Sequence, residues 1–314
     1  MTVSELVLSW VVIGALVLFL GAMFGYSRTP RSQARAILSF SKQVGLTTGA
    51  DEVSTVLGRF MKQRTSSMYA GSLLGLMVSA VILALNSPLV ASIFVWLIVL
   101  PAVLTGMATG AAIYSLRESL FPQRDGLARI ARPSATTARD YVSPWRLRLA
   151  PIFQIVAAIL CAAGLLLGAG GRIDLATFLS GPALPFFVVS LVVTLAGTLA
   201  TRRILLRRQP VAESSELFWD DAVRAETLRG IQMGLTIVAW FAVSATVLGM
   251  LQAADTLSGS HWSLGLGLQP FAWGTLGISA IFAVRGARAH FRQRLWPDFG
   301  AAGAGNASSP GISE

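Results

Sequence analysis

A chain of 314 residues that is 54% hydrophobic and only 13% charged falls outside the range of soluble globular domains, which carry about 25% charged residues. Its net charge of +10 comes from 25 basic residues against 15 acids, and its single cysteine excludes both an intramolecular disulfide and metal sites of the CxxC type. The class that remains is an integral membrane protein made of apolar helices.

Crossing a hydrocarbon core of roughly 30 Å takes about 20 helical residues. Apolar runs of that order lie near 6–25, 68–86, 88–114, 149–169, 182–201, 231–253 and 264–284. None contains Asp, Glu, Lys or Arg, so none meets the roughly 2.5–3.5 kcal/mol that a central charge costs on insertion. The sequence therefore predicts an all-α fold, a polytopic transmembrane helical bundle of about seven spans. One domain covers 1–298, and the low-complexity stretch 299–314 reads as a disordered tail.

In chain order, the first run has no basic residue ahead of it and is preceded by the acidic Glu5, which reads as a retained helix rather than a signal peptide. The segment 26–67 that follows contains a helical pattern over 48–64. Val53, Val56, Leu57, Phe60 and Met61 recur at i, i+3, i+4, i+7 and i+8 along one face, with Asp51 and Glu52 at its positive end and Arg59, Lys62 and Arg64 toward its negative end. This face predicts an amphipathic helix in the membrane interface, with packing under the bundle or against a partner as the alternative. Asn86 and Pro88 mark a turn between the second and third runs. Small residues four apart, at Gly21 and Gly25, Gly71 and Gly75, Ala102, Gly106 and Gly110, and Gly164 and Gly168, let helix backbones approach closely, within one bundle or between two copies.

Between the third and fourth runs, 115–148 is basic, and its part 133–148 reads as an extended linker without chemistry. Cys161 lies inside the fourth run. The stretch "GAGG" at 168–171 has no strand before it and no Lys-Ser/Thr after it, so it is a helix end rather than a phosphate loop. Polar groups within the runs, such as Gln154, Ser79, Ser190, Ser244 and Thr246, are expected to bond between helices. Trp145, Trp262 and Trp296 are placed as an interfacial aromatic belt.

The segment 202–230 ends in "ELFWDDAVRAETLRG" (216–230), which puts six charges into fifteen positions. As a helix it brings Asp220 to Arg224 at i, i+4 and Glu226 to Arg229 at i, i+3. With Asp221, these residues form the candidate docking surface for a partner, because five of the fifteen acids fall between Glu213 and Glu226 on a side otherwise dominated by Arg. The same stretch, with Asp220, Asp221, Ala222, Val223, Arg224 and Ala225 ahead of a hydrophobic helix, resembles a segment found in uncharacterised multi-pass membrane proteins of actinobacteria. That resemblance implies a multi-pass membrane chain and carries no activity, cofactor or site residue. In the last run, "GLGLQPFAWG" (265–274) offers Gln269 and Pro270 as a candidate pore or pocket, against an irregular helix end.

Lys and Arg collect in cytoplasmic loops. Placing 26–67, 115–148, 202–230 and the residues after the seventh run inside accounts for 24 of the 25 basic residues, leaving Arg172 outside, so the N-terminus is expected out and the C-terminus in. The positive charge then faces an anionic inner leaflet, and the 23 Arg spread over four loops do not form a nucleic-acid module. His261 and His290 fall on opposite sides, and the only lysines, Lys42 and Lys62, lie outside the spans, which excludes a Schiff-base retinal protein. No catalytic, cofactor or metal constellation emerges. The expectation is a non-enzymatic protein of the cell membrane, with Arg usage typical of a GC-rich bacterium, that docks a cytoplasmic partner or a second copy of itself. The alternative is a permease for an uncharged or lipid-like solute.

Overall fold

A computed structural model describes residues 3–44, 51–85, 94–117, 136–207, 214–258, 268–283 and 285–297. All elements among them are α-helices: α1 (Val3–Ser27), α2 (Pro30–Val44), α3 (Asp51–Leu85), α4 (Phe94–Arg117), α5 (Ala138–Tyr141), α6 (Pro144–Ala169), α7 (Leu175–Ser180), α8 (Ala183–Leu206), α9 (Ser214–Ser258), α10 (Leu268–Ala283) and α11 (Arg285–Leu295). A helix satisfies its own backbone N–H and C=O groups, which is what such apolar segments require in lipid.

The axis of the molecule is α9. Its 45 residues make a rod of about 67 Å at 1.5 Å per residue, and α4, α6, α8 and α10 pack around it. Leu228, Ile237, Ala239, Phe241 and Ala245 are sealed within this packing. The outer helices show the opposite pattern: Ile159 is 63% exposed, Leu166 74% and Leu195 63%, while Ser79, Thr236, Thr246 and Asp221 are wholly buried. Such a surface is unfavourable in water and stable in hydrocarbon. Among the described residues, Pro144–Ala169, Leu175–Leu206 and Glu216–Asp255 are long and apolar enough to cross a membrane, and Ile13–Ser27 and Val99–Ser115 are shorter apolar helices.

The tightest helix pair is α3 with α4. Gly71 lies against Gly106, Gly75 against Ala102, and Gly110 against Ser67, so a Cβ added at any of these four glycines would collide with the backbone oxygen facing it. The four-residue spacing of small residues is thus spent inside the bundle. Gly21 and Gly25 of α1 meet open space instead. Gln154 of α6 and Ser190 of α8 hydrogen-bond to each other at 2.9 Å, and Cys161 lies 3.4 Å from the Thr246 hydroxyl. Thr236, Ser244 and Thr246 return their hydroxyls to the carbonyl four residues back.

The two ends of the bundle differ. Charge on α9 is confined to 216–229 and Asp255, so the 25 uncharged positions between them cover about 37 Å of helix, a little more than a hydrocarbon core. At the opposite end, the Asp174 amide donates to the Ala253 carbonyl at 3.1 Å, beside a cluster of Ile173, Phe178 and Ala183. Gly171, at φ 67°, makes the left-handed turn there, and Asp174 caps α7 through the amides of Ala176 and Thr177.

Three local expectations change. The helix expected at 48–64 and the following span form one unbroken helix, α3, of 35 residues. The stretch from Arg59 to Ala70 contains no Gly or Pro to stop it. The supposed linker 133–148 has, from 136 onward, the turn α5 and the start of α6. Thr137 and Asp140 bond to each other across the N-terminus of α5, the Thr137 amide donating to Asp140 at 2.7 Å. Trp296 is buried rather than set in an exposed aromatic belt, whereas Trp145 is half exposed. The turn at 86–88, Trp262 and the tail 299–314 lie outside the described residues.

Candidate functional site: the charged end of the central helix

The first four turns of α9 carry the charged cluster, and they are enclosed. Glu216, Asp220, Asp221 and Arg224 are all buried. Asp220 and Arg224 pair across one turn at 2.9 Å, and Glu226 pairs with Arg229 at 2.5 Å, as the i, i+4 and i, i+3 spacing predicts. The arginines have a second task. The last four carbonyls of any helix lack intrahelical partners and sit at the negative end of its dipole. Arg224 donates to the carbonyls of Ile204 at 3.4 Å and Arg207 at 2.9 Å, finishing α8. Arg229 donates to the Phe282 carbonyl at 3.1 Å, finishing α10. Arg207 donates to the carbonyls of Ser115 at 2.9 Å and Arg117 at 3.4 Å, finishing α4. Three helices that pack on α9 therefore have their C-terminal ends clamped by guanidinium groups at one level of the bundle.

Asp221 joins two further segments to this level. Its carboxylate is wholly buried and accepts from the Tyr141 hydroxyl at 3.0 Å and from the Trp296 indole N–H at 3.2 Å. Burial, reinforced by the Asp221 charge, pushes the Tyr141 phenol well above its ordinary value, so it remains a neutral donor. Trp296 is held between Phe218, at 4.5 Å between ring centroids, and Phe291, at 5.2 Å edge-on. Nearby, α11 also meets the α5 turn through His290, 3.0 Å from the Arg139 carbonyl, and through Arg294, 3.4 Å from Asp140. Burial works to raise the Asp140 carboxyl, but hydrogen bonds from Thr137 and Arg294 outweigh it and hold it below the usual carboxylate value.

The face read as interfacial packs into the same region. Leu57, Phe60 and Met61 of α3 are buried, and Val56 packs against them, in one cluster with Phe40, Trp219 and Val223. Phe40 lies 6.1 Å from Trp219, and Phe60 lies 5.2 Å from Tyr114. Val53 falls in the first turn of α3, and Gln269 and Pro270 fall in the first turn of α10; the side chains of all three lie outside the described residues. Sequence reasoning missed Tyr141, Trp296 and Arg207. The available signal was weak: a buried Tyr or Trp needs a partner for its polar tip, and the partner here is distant in sequence. Among the described residues, no three His, Cys, Asp or Glu side chains are grouped so as to hold a metal ion.

A second feature lies along the flank of α9. Between α4 and α8 there is a cavity of about 400 Å³ lined by Thr105, Ala108, Thr109, Ala196, Gly197 and Arg203, among others. Its lining is almost wholly apolar apart from the two threonines and Arg203.

No protein-family model, curated protein or solved structure matches this chain.

Proposed function

We propose that the chain is a non-enzymatic component of a cell membrane with about seven spans, its N-terminus outside and its C-terminus inside. In this reading the 216–229 end faces the cytoplasm as a rigid, cationic platform for an acidic protein partner. The observation that carries it is the distribution of charge at that end. Asp220, Asp221 and Glu216 are turned inward, while Arg31, Arg35, Arg59, Arg148 and Arg294 are exposed. Cationic residues gather on the cytoplasmic side of membrane proteins, and a one-signed surface steers and selects an oppositely charged partner. The acids first expected to attract a partner hold the platform together, and the surrounding arginines are left to meet it.

A photo-crosslinking side chain at position 35 or 294, with position 195 as a lipid-facing control, tests this in native membranes. The expected result is a discrete protein adduct from positions 35 and 294 that weakens at high salt. No protein adduct from either position, or an equal adduct from position 195, rules the platform out. The second reading, a permease for an uncharged or lipid-like solute, draws support from the cavity between α4 and α8.

A further inference from the structure

The cavity between α4 and α8 has a length, a polarity and an opening that together describe one ligand. Along α8 it runs from Val193 to Arg203, ten residues or about 15 Å of helix, which is the depth of one leaflet of a roughly 30 Å core. Small residues, Ala108, Gly197 and Gly234, are part of its lining. Its mouth lies on the outer faces of α4 and α8, where Ile113 is 46% exposed and Leu199 51%. Whatever borders those side chains also borders the opening, and for such a surface that medium is hydrocarbon.

The polar groups are arranged along this length. Arg203 stands at the end nearest the clamped helix termini, exposed and without a hydrogen-bond or ion-pair partner among the described residues, whereas Arg207, Arg224 and Arg229 nearby are all engaged with helix carbonyls. Deeper in, the Thr105 and Thr109 hydroxyls also lack a partner among the described residues. Thr198 and Thr236, by contrast, each bond to the carbonyl four residues back at 2.7 Å. An unpaired hydroxyl facing hydrocarbon is costly, so a ligand that brings acceptors to that depth is favoured.

We propose that this groove is a binding site for a single anionic phospholipid of the inner leaflet, with its phosphate on Arg203, its ester oxygens near Thr109 and an acyl chain along Gly197 and Gly234. The site rests on the membrane orientation given above. Its occupant follows from charge complementarity at Arg203 combined with a one-leaflet apolar slot open sideways to lipid. A free anion would use only the arginine, and a fatty chain without a charged head would use only the slot.

Native mass spectrometry of the full chain in detergent, with phosphatidylglycerol, phosphatidylcholine or inorganic phosphate added, tests the site. Wild type should retain one phosphatidylglycerol in preference to phosphatidylcholine. Arg203→Ala should weaken phosphatidylglycerol retention about tenfold, with Arg203→Lys recovering most of it, and Ala196→Leu, which fills the mouth, should weaken both lipids. Equal retention of the two lipids by wild type, undiminished retention by both Arg203→Ala and Ala196→Leu, or displacement of phosphatidylglycerol by inorganic phosphate alone would overturn the proposal. Failure of the membrane reading shows separately, as protein that stays in the aqueous fraction without detergent.

Discussion

Asp221 gathers three parts of the chain, since its two oxygens take hydrogen bonds from Tyr141, 80 residues before it, and Trp296, 75 residues after it. Removing the carboxylate takes a buried acceptor from both donors, at a cost of about 1–3 kcal/mol each, less for Tyr141, whose hydroxyl also lies 3.5 Å from the Thr136 hydroxyl. Asp221→Asn keeps an acceptor and should cost less. The thermal midpoint in detergent should therefore fall in the order wild type, Asp221→Asn, Asp221→Ala, while Arg294→Ala, whose side chain is 69% exposed, should stay within the small range of surface changes. An Asp221→Ala midpoint equal to that of wild type would remove this residue from the core of the account. The i, i+4 pairing of Asp220 with Arg224 was readable from spacing alone, because both partners lie on one helix face. The partners of Asp221 were not, because a hydrogen bond between segments so far apart leaves no periodic mark in either.

At the scale of elements, the α3–α4 pair depends on close backbone approach, and the glycines that allow it were visible as a four-residue spacing. Which helix each glycine would face was not visible, because the same spacing at Gly21 and Gly25 meets open space. The pair makes a clear contrast. Gly106→Leu should lower the thermal midpoint by the equivalent of about 1–3 kcal/mol or more through overpacking, since its Cβ would strike the Gly71 carbonyl. Gly21→Leu should be near neutral. Equal effects at the two positions would contradict this packing. Two other elements show the limits of pattern. The helix α2 was not anticipated, since its apolar side chains are few; Pro30 at its first position is the signal that could have found it. The burial of the first turns of α3 reflects tertiary contact: Leu57, Phe60 and Met61 share a cluster with Phe40 and Trp219 at the bundle's charged end, which local composition does not reveal.

At the scale of the whole molecule, the apolar runs made a membrane helical bundle legible from composition, because burying that much hydrocarbon in a water-soluble core of this size is not feasible. What composition could not show is that one helix, α9, is enclosed by the others, or that the charge at its start holds the ends of α4, α8 and α10. If that charged end is cytoplasmic, it and the Asp174 turn lie on opposite sides of the membrane. Cysteine accessibility in intact cells decides this most directly. The native Cys161 is buried and can be replaced in a Cys161→Ser background, with single cysteines then introduced as Arg172→Cys, Arg294→Cys and Leu195→Cys. A membrane-impermeant maleimide should label position 172 from outside, reach position 294 only after permeabilisation, and label position 195 in neither state. Labelling of position 294 in intact cells, or of positions 172 and 294 from the same side, would contradict this orientation.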